Sequence, residues 1–259
     1  MIGNNRKGIV IQDRDRQLLR ELAIMRLIDR EQAKCVAGFR STRRVNSRLL
    51  ILARAGLLRR FFVGTRGGGQ KALYALSPTG AKLVDAPFRG PRRAHDAVLV
   101  ADFFATHQLS INEIYCVLKF QSLPISEAAF RKWLSFYEPL EPSTRLIPDG
   151  YVEILAPEKT LAAFIEVDLG HEGLSIWKRK VETYLRYAVS GNFAKRFGPS
   201  QFRVLVVANS ERRMHSLRKG TSSLTDKVFW FSTFECITHD GFWSPVWFRP
   251  KGDQRQCLL

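Results

Sequence analysis

The stretch "IPDGYVEILAPEKTLAAFIEVDLG", residues 147–170, places Asp149, Glu166 and Asp168 at the ends of two apolar runs. If the turn between the runs centres on "APEK", antiparallel pairing sets Asp149 opposite Glu166. Opposed residues hold their Cβ atoms about 4.5 to 5.5 Å apart, and two carboxylates at that separation repel unless a cation or proton lies between them. Oxygen donors so placed suit Mg2+ or Mn2+, which makes Asp149 and Glu166 the expected metal ligands. A metal held there would polarise a phosphate and lower the pKa of an attacking water. Glu166 and Asp168 share one face of their strand, because side chains alternate.

In the helix expected next, "EGLSIWKRKVETYLRYA", Lys180 lies on one face with Trp177 and Tyr184. If that face packs on the sheet, Lys180 reaches inward toward the acids, with Lys178 as second candidate; the bland alternative leaves both lysines in solvent. His171 follows the acids closely, yet a loop histidine is usually only solvated. His95 beside Asp96 reads as a helix-start or interdomain contact. Cys35, Cys116, Cys236 and Cys257 show no zinc spacing, so they are expected as free thiols, three in the core and the last in a tail. No spacing supports a Ser-His-Asp or Cys-His nucleophile. The aromatic, proline-broken "GFWSPVWFRP" suits sheet-edge packing or a dimer contact better than base stacking.

Periodicity predicts the elements that position these groups: helix 94–107, strand 112–120, an inserted helix 126–137, strands 146–155 and 161–168, helix 174–190, strand 202–208, helix 210–219 and a strand from 228. Without the insertion the order is α-β-β-β-α-β. That order, with Pro148-Asp149 before one strand and Glu166 near the end of the next, resembles the restriction-endonuclease-like PD-(D/E)xK superfamily. The resemblance implies a Mg2+- or Mn2+-dependent endonuclease with a degenerate motif. A lysine is usual two residues after the second acid, and Asp168 stands there instead. Migration of that lysine to a neighbouring element is known in the superfamily, which makes Lys180 the stand-in.

The formal net charge is +17. Residues 1–93 hold 21 Lys and Arg against 6 Asp and Glu, while the remaining residues hold 20 against 18, so the positive field belongs to the N-terminal third. Such segregation points to a polyanionic partner. Three helices are expected there. The first lies in "DRDRQLLRELAIMRLID", capped by Asp13 or Asp15. The second is "DREQAKCVAG", capped by Asp29 and ended by Gly38. The third is "STRRVNSRLLILARAG", capped by Ser41 or Thr42. The third shows Ser41, Thr42, Arg43, Arg44, Asn46, Ser47 and Arg48, types that contact phosphates or base edges from the major groove. Two β runs follow, joined by a Gly-rich tip carrying Arg66, Gln70 and Lys71. The triple glycine lacks the GK[ST] of a phosphate-binding loop. Three helices and a basic hairpin, followed by "LSPTGAKLV", resemble the winged helix-turn-helix domains of bacterial regulators.

The linker "DAPFRGPRRAHDA" divides the chain into an expected DNA-binding domain, 1–90, and a nuclease-like domain, 91–259, giving an α+β fold class. Taken whole, the chain resembles the replication-relaxation family of plasmids and other mobile elements, carried by "RRAHDAVLVADFF", the Pro-Asp strand, "FIEVDLGHE" and Lys180-x-x-x-Tyr184. The resemblance implies double-stranded DNA binding in replication, mobilisation or their control, and carries over Asp149, Glu166, Asp168 and Lys180. It leaves open whether the nuclease-like domain cuts DNA or serves as a dimerisation platform or an adaptor for a relaxase or replication protein. A homodimer is expected by analogy with two-fold sites. With no long apolar run and no signal-peptide core near the start, a bacterial cytoplasmic protein away from membranes is expected.

Overall fold

The computed structural model describes residues 9–65, 68–89 and 103–259. The chain forms two compact units, Met1–Cys116 and Val117–Leu259. Among the described residues no helix is long and apolar enough to cross a membrane.

The first unit opens with helices α1 (Asp13–Met25), α2 (Arg30–Ala37) and α3 (Thr42–Arg54). Their apolar faces bury Leu18, Leu22 and Met25, then Ala33 and Val36, then Val45, Leu49 and Leu52. Asp29 caps α2 by accepting the Gln32 N–H, and Gly38 ends it with φ +63°, as the sequence predicts. The cap of α1 differs: Gln12 occupies the position, while Asp15 accepts the Gln12 N–H at 2.7 Å from inside the first turn. Strands β1 (Leu58–Gly64) and β2 (Gln70–Leu76) pair antiparallel, and Ile28 and Tyr74 exchange two backbone hydrogen bonds that add a third edge. Helix α4 (Pro78–Leu83) follows on a Ser77 cap. It packs so close that a Cβ on Gly80 would lie 2.1 Å from the Leu57 carbonyl oxygen.

Helix α5 (Phe103–Phe120) differs from expectation, which placed a strand over 112–120. The β-branched and aromatic types there suggested a strand, but Ile111, Ile114, Tyr115 and Leu118 are buried at helical spacing. Through Cys116 the helix belongs to the first unit. Ala105 and Leu109 join a core of Leu27, Phe61 and Leu73. Buried Asn112 donates to the Met25 carbonyl at 3.1 Å and the Leu27 carbonyl at 2.5 Å, and the Tyr115 hydroxyl donates to Glu21 at 2.6 Å. The units therefore divide later than the linker suggests.

The second unit is built on a seven-stranded mixed sheet in chain order: β3 (Ala129–Leu134), β4 (Gly150–Leu155), β5 (Thr160–Asp168), β6 (Arg203–Ala208), β7 (Phe229–Thr233), β8 (Trp247–Phe248) and β9 (Arg255–Gln256). The first three strands run antiparallel, β5 to β7 run parallel, and the last two return antiparallel. Strand β3 corrects the helix expected at 126–137. Ala, Arg, Lys and Leu favour a helix locally, but edge pairing with β4 overrides that preference. The Trp133 ring lies where a Cβ on Gly150 would meet it at 2.3 Å, so glycine is required there.

Helices α6 (Leu174–Val189), α7 (Asn192–Phe197) and α8 (Glu211–Ser222) contribute Trp177, Tyr184, Phe193, Phe197, Met214 and Leu217 to one aromatic-rich core with Tyr151, Phe164, Val206, Phe229 and Phe231. Helix α9 (Phe234–His239) leads to the aromatic tail, which packs at the sheet edge with Trp247 buried and its indole donating to the Phe242 carbonyl at 2.8 Å. All four cysteines are free, but only Cys116 is buried; Cys35 is exposed and Cys236 half-buried, so the expected three core thiols reduce to one.

Candidate functional site

The hairpin of β4 and β5 turns at "APEK", where Ala156 and Lys159 exchange backbone hydrogen bonds. Its ladder runs from Leu155–Thr160 to Gly150–Ile165, so one further step sets Asp149 opposite Glu166. The Asp149 N–H donates to the Ile165 carbonyl at 3.1 Å, and its carboxylate accepts the Val167 N–H at 2.7 Å. Asp149 thus anchors the end of the ladder with its own side chain.

Glu166 is buried and held at both oxygens. Lys180 Nζ lies 3.1 Å from Oε2, and the Tyr184 hydroxyl donates to Oε1 at 2.6 Å. Helix α6 makes this reach because the face carrying Trp177, Val181 and Tyr184 is packed on the sheet. Lys178 is exposed on α6, and so is His171 in the preceding loop. Lys180 also lies 3.0 Å from Glu172, a residue the sequence did not single out. Its only local signal was its place at the end of "FIEVDLGHE".

Three carboxyl groups and one ammonium meet here, and electrostatics follow from that excess. Desolvation, with Glu166 facing it, holds the Asp149 carboxyl well above its ordinary 3.8, against the pull of the Val167 N–H and Lys180. Desolvation alone would lower Lys180, but Glu166, Glu172 and Asp149 outweigh it and keep the ammonium charged above its ordinary range. Burial and the Glu166 carboxylate push the Tyr184 phenol well up, so it remains a donor.

Asp168 leaves this group. Arg213, in the first turn of α8, grips it with Nε to Oδ1 and Nη2 to Oδ2 at 2.7 Å each, and the Gly170 N–H adds a third bond at 2.7 Å. Parallel register explains the meeting: Asp168 pairs with Ala208 at the end of β6, five residues before Arg213. The two residues are 45 apart in sequence, so no local pattern announces the pair.

Among the described residues no group of three His, Cys, Asp or Glu side chains could hold a metal ion. Asp149 and Glu166 remain a two-carboxylate set. Mg2+ is often bound by one or two carboxylates, with waters and substrate phosphates completing the octahedron, so the pair fits a cation of that kind and not an all-protein cage. The excess negative charge around Asp149 is what such a cation would offset.

In the first unit, Thr42, Arg43, Arg44, Asn46 and Ser47 are exposed along α3, and Ser41 stands half-buried at its N-cap position without a side-chain cap bond. Arg48 turns inward: Nε donates to the fully buried Asp15 at 2.8 Å and Nη2 to the Val10 carbonyl at 2.7 Å. A buried carboxylate requires a partner, and Arg48 supplies it. Lys71 pairs with Asp29, the α2 cap. A cleft of about 440 Å³ between Arg30, Asn46, Thr65, Gln70 and Lys71 lies beside these groups. Arg66, His95 and Asp96 lie outside the described residues.

No curated protein and no solved structure matches the chain. The replication-relaxation family model matches residues 16–200, spanning the exposed row on α3, the hairpin with Asp149 and Glu166, and the helix bearing Lys180 and Tyr184. Membership points to a role in the replication or mobilisation of plasmids and other mobile elements. The chain belongs to the replication-relaxation family.

Proposed function

We propose that the chain binds double-stranded DNA through a winged helix-turn-helix in its first unit and that its second unit is a restriction-endonuclease-like domain. The exposed row Thr42, Arg43, Arg44, Asn46 and Ser47 on α3 supports the first reading, because such side chains suit phosphates and base edges in the major groove. The β1–β2 hairpin with its Ile28–Tyr74 edge is the wing, and Lys71 sits next to its tip, paired with Val63. Arg48 acts through α3, holding its angle to α1, while Arg43 and Arg44 make the contacts.

For the second unit, one observation carries the reading: Lys180, from the following helix, lies beside Glu166, which faces Asp149 across the hairpin. Asp149 and Glu166 would hold Mg2+ or Mn2+, which would polarise the phosphodiester and activate water. Lys180 would hold positive charge against the developing phosphate charge, and Tyr184 fixes the rotamer of Glu166. The reading is tested by nicking of supercoiled plasmid with Mn2+. Cleavage by the wild type and none by Asp149→Ala or Lys180→Ala supports it; equal cleavage in all three sinks it.

A second reading is favoured by the grip of Arg213 on Asp168 and by the clamp of Glu166 and Glu172 on Lys180. Groups so engaged stabilise a fold without cutting anything, and the unit then serves as a dimerisation or recruitment platform for a relaxase or replication protein. Wild-type protein that binds DNA, does not cleave with Mn2+ and sediments as a dimer would support this reading over the first.

A further inference from the structure

At the opposite end of β5 from Glu166 lies a cavity of about 530 Å³. Thr160 and Glu166 are six residues apart on that strand, which is about 20 Å. Two cations line the cavity without an acidic partner among the described residues. Lys159, in the exposed turn, makes no ion pair, and Arg203 reaches only the Leu258 carbonyl at 2.7 Å while its guanidinium stacks 4.6 Å from the centre of the Trp230 ring. Arg249 stacks at 4.6 Å on the same ring, so positive charge is concentrated beside Arg203. Arg131, the third cation of the lining, is partly offset by Glu153 at 3.5 Å. Thr160, Ser200 and Gln201 line the cavity with no side-chain hydrogen bond among the described residues, and Phe197 and Phe202 supply apolar wall.

Unpaired guanidinium and ammonium groups, hydroxyl and amide donors, and aromatic wall form a donor set matched to one ligand chemistry. We propose that this cavity binds a phosphate carried on a nucleoside, with Arg203 and Lys159 on the phosphate and Phe197 and Phe202 against the apolar part. The phosphate comes either from a free nucleotide or from the end of a nucleic-acid strand. The site is separate from the acidic end of β5 and needs no metal. The loop 198–202 that forms one wall starts at Gly198, with φ +97°, and is stiffened by Pro199.

The test is equilibrium titration of the full chain, in EDTA, with three probes: a 5′-phosphorylated deoxydinucleotide, the same dinucleotide without the phosphate, and a deoxynucleoside 5′-monophosphate. The phosphorylated dinucleotide should bind at least about tenfold tighter than its dephosphorylated form, as one charge-assisted contact contributes. Lys159→Ala and Arg203→Gln should each remove most of that difference. Arg203 also packs on Trp230, so Lys159→Ala, on an exposed turn, keeps the test valid if the arginine variant misfolds. Tight binding of the monophosphate as well assigns a free nucleotide, and binding of the dinucleotide alone assigns a strand end. Equal affinity with and without the phosphate, or a phosphate preference unchanged in Lys159→Ala, overturns the proposal.

Discussion

Lys180 and Glu166 are 14 residues apart in sequence and stand 3.1 Å apart in the fold, on a helix and a strand packed together through the buried face of Trp177, Val181, Tyr184 and Tyr187. The ammonium thereby comes to the acids from outside their strand. Removing it leaves Glu166 and Glu172 facing each other and Asp149. Because Lys180 is about a quarter exposed, solvent screens part of the loss, and Lys180→Ala is expected to cost about 1 to 3 kcal/mol by urea denaturation. Unchanged stability would show that the ammonium is not held there in solution.

Tyr184→Phe removes a buried hydrogen bond to a carboxylate without opening a cavity. A loss of about 1.5 to 3 kcal/mol is expected. If cleavage occurs, this variant should retain the fold, shown by circular dichroism, yet lose rate because Glu166 is no longer fixed.

Asp149 predicts how stability varies with pH in metal-free buffer. Its folded-state pKa is raised, so the native state binds more protons than the unfolded state as pH climbs above 3.8. Its stabilising contribution is therefore full below 3.8 and is lost as pH rises through the raised value. Asp149→Asn should flatten that fall, and Mn2+ should oppose it by taking the place of the proton. Thermal denaturation across pH, with EDTA or Mn2+, checks both; a wild-type profile identical to that of the variant would contradict them.

Arg213→Ala strips a mostly buried carboxylate of both guanidinium bonds and should cost about 2 to 4 kcal/mol. Asp168→Asn in the same chain should restore part of it, giving a coupling measurable by a double-mutant cycle.

On α3 the arginines should separate by assay. Arg44→Ala should weaken DNA binding by about 1 to 3 kcal/mol if it reads a base, with little change in melting temperature. Arg48→Ala should lower melting temperature first, since it orphans the buried Asp15. Affinity should fall steeply with salt. Binding that ignores salt, or unaltered affinity in Arg44→Ala, would remove the interface from α3.

The sequence by itself determined what local chemistry can encode. The apolar runs on either side of "APEK" gave the hairpin and the register of Asp149 against Glu166, and the 3.6-residue repeat with Asp29 and Gly38 gave the N-terminal helices. The single face shared by Trp177, Lys180 and Tyr184 was equally legible. Local propensity misread 112–120 and 126–137, because burial of Ile114 and Tyr115 within the first unit and pairing at a sheet edge outweigh differences of a few tenths of a kcal/mol per residue. Only the tertiary structure assigned the partners. Parallel register brought Arg213 to Asp168, and a buried Asp15 drew Arg48 inward from the face where its spacing had placed it. A charge taken out of water must find an opposite charge, and which one it finds depends on chain segments that only the fold brings together.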